Sequence, residues 1–204
     1  MLFKMYSKHI VLYGVDEDQL KVQLCELPQN SLPRAFTTII SYVTPKIQNM
    51  EIYATSEPMY EMAPEIFTVM VAHSPFNTFT KGVVRVYNFP IDISERNVHR
   101  ESPPAVFTFA TPPSASMEPM CLGRTGLRAV WLEHQWNTDE YRLMKGSFPC
   151  KGQGAESEPH VVLLQRAELA LPFEPHHCRS LALDEATGRV WVGVHTGEVY
   201  ILEF

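Results

Sequence analysis

The amino-acid sequence predicts an all-β fold, and three observations lead to that prediction. Short runs rich in Val, Ile, Phe, Tyr and Thr recur along the 204 residues, and Pro, Gly, Asn or Asp bound them. Apolar residues rarely recur at the i, i+3, i+4, i+7 spacing that indicates an amphipathic helix. The 16 prolines are spread throughout the chain, so few windows could hold an uninterrupted helix.

The clearest β-structure lies in the C-terminal segment Cys178–Phe204. Two Thr-Gly pairs, at Thr187-Gly188 and Thr196-Gly197, divide this segment, and Gly suits the corner of a hairpin because it adopts positive φ without steric cost. The segment is therefore predicted to be an antiparallel meander of three strands, Ser180–Asp184, Arg189–Val194 and Glu198–Phe204.

Four hairpins are predicted along the chain, and the last of them belongs to the C-terminal segment. Their turn centres lie near positions 17, 79, 138 and 197, a period of about 60 residues that is typical of a repeated array. The first three hairpins pair His9–Val15 with Gln19–Glu26, Ile66–Ala72 with Gly82–Phe89, and Ala129–Gln135 with Glu140–Lys145.

Further strands are predicted between the hairpins, at Thr37–Val43, Glu51–Thr55, Ala105–Ala110 and Val161–Arg166. Four strands per repeat is the composition of a β-propeller blade, and closed propellers have about 4–8 blades. We therefore predict one domain over residues 1–204, built of antiparallel four-stranded blades as a partial or minimal β-propeller. Inserted loops are predicted at Pro28–Pro33, Pro103–Pro119 and Ser147–Pro159, and the polar, Pro-rich or Gly-rich composition of the last two predicts that they are exposed or mobile.

Composition narrows the classes of partner and compartment. The net charge is −6 and no basic run occurs, which argues against a nucleic-acid partner. No apolar stretch approaches the ~20 residues that a membrane-spanning helix needs, and Lys4 and Lys8 interrupt the N-terminal apolar run, unlike in a signal peptide. The four widely spaced cysteines predict reduced, mostly buried thiols in a cytoplasmic or nuclear protein.

Several segments resemble known proteins. The run LALDEATGRVWVGVHTGEVYILEF resembles the closing blade of a WD-repeat-type β-propeller, and VVRVYNF at Val83–Phe89 resembles the third strand of such a blade. No Trp-Asp or Gly-His pair accompanies them. The segments HIVLYGVDEDQLKVQL and GRTGLRAVWLEHQW are similar to the C-terminal half of fungal F-box proteins, but the first 40 residues read as strands and not as an F-box. The resemblance implies the substrate-binding part of a ubiquitin-ligase adaptor.

The densest mixture of cationic and aromatic residues predicts a protein-binding rim near the Gly123–Gly126 turn. Trp, Tyr and Arg dominate the energetics of protein interfaces. Strand alternation places Arg128 and His134 on one face of their strand and Trp131 on the other, where packing is the favoured interpretation. The predicted site residues are Arg124, Arg128, His134 and Trp136.

Two functional classes follow. The absence of a P-loop, a GxSxG elbow and an HExxH motif favours a non-catalytic interaction module without cofactor or metal, which binds a protein of unknown identity. The segment ALDEATGRVWVG also resembles metal-dependent propeller lactonases, whose chemistry needs carboxylates and amides that converge on one cation. The available ligands for this alternative are Asp16, Glu51, Asp92, Asn137 and Asp184.

Two smaller expectations concern the C-terminal segment and the ends of the array. In His176-His177-Cys178 the favoured interpretation is exposed histidines and a buried Cys178, and Trp191 is expected in the core because neighbouring blades cover both faces of a blade strand. An open half of a propeller would expose two unpaired edges, so a dimer or a missing half is expected if the ring does not close.

Overall fold

A computed structural model describes residues 1–5, 9–26, 37–48, 50–56, 66–73, 81–90, 104–148, 159–164 and 171–203. These residues form four antiparallel sheets, three with four strands and one with three, and no α-helix. Apart from the strands, a single-turn 3-10 helix covers Pro175–His177. The all-β prediction is thus confirmed for the described residues, and none of their four sheets is closed.

The first two sheets occupy the N-terminal half of the chain. Sheet A contains β1 (Leu2–Met5), β2 (His9–Asp16), β3 (Gln19–Glu26) and β4 (Thr37–Val43). Sheet B contains β5 (Met50–Thr55), β6 (Ile66–His73), β7 (Lys81–Pro90) and β8 (Ala105–Pro113). In both sheets the strands lie in chain order, and each pairs with the next.

The other two sheets have the same meander order. Sheet C contains β9 (Ala115–Leu122), β10 (Arg128–Gln135), β11 (Glu140–Ser147) and β12 (His160–Leu163). Sheet D contains β13 (Cys178–Asp184), β14 (Arg189–Val194) and β15 (Val199–Glu203). The four predicted hairpins are β2–β3, β6–β7, β10–β11 and β14–β15, and all four are confirmed.

The turns show why these hairpins form. Gly188 and Gly197 have φ of 74° and 90°, as predicted for the corners of the C-terminal meander. In the β2–β3 turn, Glu17 and Asp18 both have positive φ, the conformation of a two-residue turn that matches the twist of paired strands.

The predicted loop at Pro103–Pro119 is wrong, because most of this segment is strand. Residue Ser114, with φ of 54°, separates β8 in sheet B from β9 in sheet C. Pro119 is accommodated because the β9–β10 register shifts between Trp131 and Glu133, and Pro is tolerated in a strand at such a bulge. The prediction of a loop did not take into account that a strand tolerates proline at a bulge.

Two other predicted loops have different outcomes. The loop at Pro28–Pro33 lies outside the described residues. The loop at Ser147–Pro159 begins too early, since β11 extends to Ser147 and the next side chain, Phe148, is 1% exposed. Phe148 packs against the Phe107 and Phe109 rings of sheet B, which accounts for its burial. The segment from 149 to 158 is not described.

The sheets stack face to face in chain order through three apolar clusters. One cluster joins sheets A and B around Tyr13 and Phe67, and a second joins sheets B and C around Met70 and Trp131. The third joins sheets C and D around Leu132 and Val192. Both faces of sheets B and C are therefore buried, whereas sheets A and D each contribute only one face to these clusters.

Candidate protein-binding surface

The four predicted site residues do not form one group, because they lie at opposite ends of β10. Arg124 lies in the turn before this strand and Arg128 begins it, whereas His134 lies near its end and Trp136 follows in the next turn. The six-residue interval from Arg128 to His134 spans about 20 Å at ~3.3 Å per residue. The sequence was right to separate Trp131 from this set, since its side chain is 1% exposed in the core.

The arginine end of β10 joins sheets C and D. The Glu185 carboxylate, in the β13–β14 turn, accepts hydrogen bonds from Thr125 N and Thr125 Oγ1, both at 2.6 Å. The Arg128 guanidinium donates to the Glu185 carbonyl oxygen at 3.1 Å. We call Thr125, Arg128 and Glu185 the inter-sheet clasp. Arg128 therefore has a structural partner, while Arg124 is exposed in the turn.

Sheet B touches the same turn through Gly126. This residue has φ of 71°, and a Cβ built on it would lie 1.9 Å from Thr68 Oγ1. The close approach explains why glycine is required here, since any side chain would collide with β6. The turn before β10 thus contacts both neighbouring sheets and fixes their position.

The opposite end of β10 presents Trp136 to solvent on a rigid support. Trp136 is 66% exposed, and its ring centroid lies 4.3 Å from that of His134. His134 is buried at 8% exposure and stacks on Tyr141 at 4.1 Å with an interplanar angle of 3°. His134 Nε2 donates to Asp139 Oδ1 at 2.9 Å. We call His134, Trp136, Asp139 and Tyr141 the Trp136 cluster.

The backbone of the turn holds the Trp136 cluster in place. Trp136 N donates to Ser114 O at 3.0 Å, and Asn137 Nδ2 donates to Ser114 Oγ at 3.3 Å. Thr138 N donates to Gln135 O at 3.3 Å. A large aromatic side chain that is already ordered loses little conformational entropy on binding, which favours high affinity per contact. Sequence reasoning found His134 and Trp136 but missed Asp139 and Tyr141, which come close only through the β10–β11 register.

A concave feature lies at the end of sheet D, beside the β14–β15 turn. It is an open depression of about 280 Å³, lined among others by Phe173, His177, Glu198 and Tyr200. The Phe173 and Tyr200 rings lie 5.4 Å apart, and the Glu198 carboxylate accepts from Tyr200 Oη at 3.3 Å. Desolvation, followed by electrostatic interaction with His176 and His195, lowers the pKa of His177.

The candidate metal ligands near this depression do not behave as a metal site. His176, His177 and His195 form a row with ring centroids 4.0 Å apart. Cys178 is buried, as expected, and burial raises the pKa of its thiol to about 11, so the thiolate that binds metals is disfavoured at neutral pH. Nowhere in the described ranges do three His, Cys, Asp or Glu side chains form a group that could hold a metal ion.

The ligands considered for lactonase chemistry have local partners instead. Asp16 pairs with Lys21, and Asp184 accepts hydrogen bonds from Ala186 N and Thr187 Oγ1 within its own turn. These contacts lower the pKa values of both carboxyls, chiefly through the hydrogen bonds with Lys21 and Thr187, respectively. Glu51 is exposed on β5, Asn137 belongs to the β10–β11 turn, and Asp92 lies outside the described residues.

One buried carboxyl was not singled out from the sequence. Glu133 is 4% exposed and lies on the same face of β10 as Trp131, toward sheet B. Burial raises its pKa, and a hydrogen bond with Gln135 and the charge of Arg142 oppose the shift. Its only sequence signal was alternation, which placed it with Ala129 and Trp131 on an apolar face.

Comparisons with known proteins add no assignment: no protein family, curated protein or solved structure matches this chain. None of the helical segments in the described ranges has the length and apolar character needed to cross a membrane. Cys25 and Cys178 are free thiols. The candidate surface therefore depends on the geometry of the Trp136 cluster.

Proposed function

We propose that this chain is a non-catalytic protein-interaction module that binds a protein partner through the Trp136 cluster. One observation carries the proposal: a tryptophan with 66% exposure is held by a buried histidine, instead of packing in the core. Such rigid, exposed aromatics are typical of interface hot spots. The resemblance to F-box proteins supports a more specific role, as the substrate-binding part of a ubiquitin-ligase adaptor in the cytoplasm or nucleus.

The chemistry around Trp136 favours a partner with a basic or apolar anchor. The Asp139 carboxylate, which accepts a hydrogen bond from the same His134 ring that contacts the indole, is 84% exposed, and Glu140 follows it at the start of β11. A Lys or Arg side chain of the partner could stack on the indole face while it pairs with the Asp139 carboxylate. The net charge of −6 agrees with a partner that carries basic residues.

The test begins with affinity capture from the source cells and continues with the purified partner. Trp136→Ala is expected to weaken the measured dissociation constant by about 30-fold or more, the effect of losing a hot spot worth ~2 kcal/mol. The matched control is Val106→Ala, which shortens another exposed apolar side chain on sheet B. Equal affinity of the Trp136→Ala variant and the wild type would refute the proposed surface.

The alternative function has its own assay. A metal-dependent lactonase would hydrolyse lactones with saturable kinetics that depend on an added divalent cation. Such activity in the purified chain would contradict a non-catalytic role, and its loss on Asp184→Asn would assign it to a carboxylate considered above. Binding of a protein partner does not produce metal-dependent hydrolysis of lactones. The hydrolysis assay therefore distinguishes the lactonase from the interaction module.

A further inference from the structure

The depression at the end of sheet D has an aromatic wall and an acidic mouth. The Phe173 and Tyr200 rings form the wall, and the exposed side chains of Glu174 and Glu198 lie at the mouth. Its volume of about 280 Å³ is just below the ~300–1,000 Å³ of pockets that enclose small molecules. The depression therefore has room for one long side chain and not for a large cofactor. We call it the sheet D depression.

Backbone hydrogen bonds hold the sheet D depression in shape. His195 N donates to His177 O at 2.9 Å, which ties the end of β14 to the 3-10 helix. Val194 N donates to Glu198 O at 3.1 Å and closes the β14–β15 turn. The buried Phe173 ring belongs to the apolar cluster between sheets C and D. The wall is thus part of the core, and a ligand meets a site that is already formed.

Both carboxylates at the mouth retain acceptors for a cationic donor. Glu198 accepts hydrogen bonds from Thr196 Oγ1 at 3.1 Å and from Tyr200 Oη at 3.3 Å, and both go to Oε2. Within the described part of the chain, Oε1 of Glu198 accepts none. Glu174 Oε2 lies 4.0 Å from His176 Nδ1, a separation too long for a hydrogen bond.

The cationic groups near the sheet D depression do not neutralise it. None of the described residues that line it is Lys or Arg. His177 lines it, and desolvation, followed by electrostatic interaction with His176 and His195, lowers the pKa of this imidazole, which is therefore neutral at pH 7. Arg179 also interacts electrostatically with His177, but it is exposed on β13 and does not line the depression. The site has a net negative charge at neutral pH.

We propose that the sheet D depression binds an arginine side chain of a protein partner. A guanidinium is planar, stacks on an aromatic face such as that of Tyr200, and presents several N–H donors to carboxylates in a fixed geometry. The ammonium of lysine is more strongly hydrated and has no planar face. The aliphatic stem of arginine covers the apolar part of the wall. A protein is the source because the open mouth leaves space for a backbone outside.

The sheet D depression and the Trp136 cluster lie at the same edge of the stacked sheets. The inter-sheet clasp joins Arg128, at the start of β10, to Glu185 in the turn before β14. The far ends of β10 and β14 therefore lie together at the opposite edge, where Trp136 and the β14–β15 turn follow them. Packed sheets are ~10 Å apart, so one partner reaches both sites. The identity of the ligand as a protein rests on the proposed function, whereas the site itself does not include Trp136.

Binding of N-acetyl-arginine methylamide to the purified, isotope-labelled chain, followed by NMR, tests the site without a partner. The amide signals of His177 and of the β14–β15 turn are expected to shift saturably, with a dissociation constant of about 1 mM. N-acetyl-citrulline methylamide has nearly the same shape without the charge and is expected to bind about tenfold more weakly. N-acetyl-lysine methylamide is expected to bind about threefold more weakly.

Variants assign the binding to the residues named above. Glu198→Gln removes the charge and Tyr200→Leu removes the aromatic face, and each is expected to weaken binding of the arginine probe by about three- to fivefold. The control is Glu203→Gln, which makes the same change at an exposed carboxylate at the other end of β15 and should leave the dissociation constant unchanged. Circular dichroism checks folding, and Glu174→Gln addresses the same site should Tyr200→Leu unfold.

Several outcomes would overturn the arginine site. They are no saturable shift at about 20 mM probe, equal affinity for the arginine probe and either of its counterparts, and unchanged affinity in Glu198→Gln. Tighter binding of free arginine than of the capped probe would identify a small-molecule site and would also overturn the proposal. Trp136→Ala should leave probe binding unchanged, so these outcomes are distinguishable from failure of the proposed function, which the affinity of the partner for Trp136→Ala measures.

Discussion

We predict that the hydrogen bonds of the inter-sheet clasp between sheets C and D contribute measurably to the free energy of unfolding. Glu185→Ala removes two hydrogen bonds of 2.6 Å from Thr125 to a carboxylate. A hydrogen bond to a charged group contributes ~1.5–3 kcal/mol, and partial exposure of the clasp places both near the lower limit. Water can replace part of what is lost, so we expect the free energy of unfolding to fall by about 2 kcal/mol. For a chain of this size that corresponds to a decrease in melting temperature of roughly 4–8 °C.

Urea unfolding followed by tryptophan fluorescence and circular dichroism measures this effect, and a double-mutant cycle assigns it. Thr125→Val removes the hydroxyl donor, and we expect a coupling energy with Glu185→Ala of about 1 kcal/mol or more. The control is Glu140→Ala, which breaks an exposed ion pair with Arg142 and should cost less than ~1 kcal/mol. A loss below ~0.5 kcal/mol for Glu185→Ala, or fully additive mutations, would refute the clasp.

Three further predictions concern backbone geometry and pH. Gly126→Ala should destabilise the protein more than Gly197→Ala. Both glycines have positive φ, but of the two only Gly126 would place a Cβ in collision with Thr68. Similar melting temperatures of the two variants would contradict this prediction. Glu133→Gln should raise the urea midpoint at pH 7 but not at pH 4, because the raised pKa of Glu133 removes stability as pH rises through that pKa. Burial raises the pKa of the Cys178 thiol from an ordinary 9.0 to about 11 in the folded protein. The free energy of unfolding should therefore fall between pH 9 and pH 11 by roughly 2 kcal/mol more in the wild type than in Cys178→Ala. Urea unfolding at a series of pH values measures this difference.

Most of the strand pattern could be predicted from the sequence because turn chemistry and alternation are local properties. The hairpin β2–β3 follows from its two-residue turn, and β14–β15 follows from the glycine at its corner. The sequence missed β9 since its proline is compatible with a strand only at a bulge, and the bulge depends on pairing with β10. It also missed β1, a short strand of four residues.

The candidate site was less predictable, because it depends on register and on contacts between sheets. Composition identified the arginines and Trp136, but the prediction of a single rim overlooked that the predicted strand between them spans about 20 Å. Arg128 has a binding partner within the chain, the Glu185 carbonyl, 57 positions away. A contact of this kind has no local signature, whereas the exposed Trp136 beside a turn does.

The placement of Trp191 shows why periodicity alone could not decide which aromatic residues are buried. Trp131 and Trp191 occupy the second strands of sheets C and D. Trp131 alternates with buried Val130 and Leu132, and Trp191 alternates with buried Val190 and Val192. Trp131 is buried because sheet B covers its face, whereas no described sheet covers the face of Trp191. The two tryptophans lie on opposite faces relative to chain order, because Trp131 faces the preceding sheet and Trp191 faces away from it. Whether a neighbouring sheet covers that face therefore determines the burial of each. In β14 alternation places Trp191 opposite buried valines, but, contrary to the expectation that it lies in the core, its side chain is 43% exposed because only the valine face is covered by a described sheet.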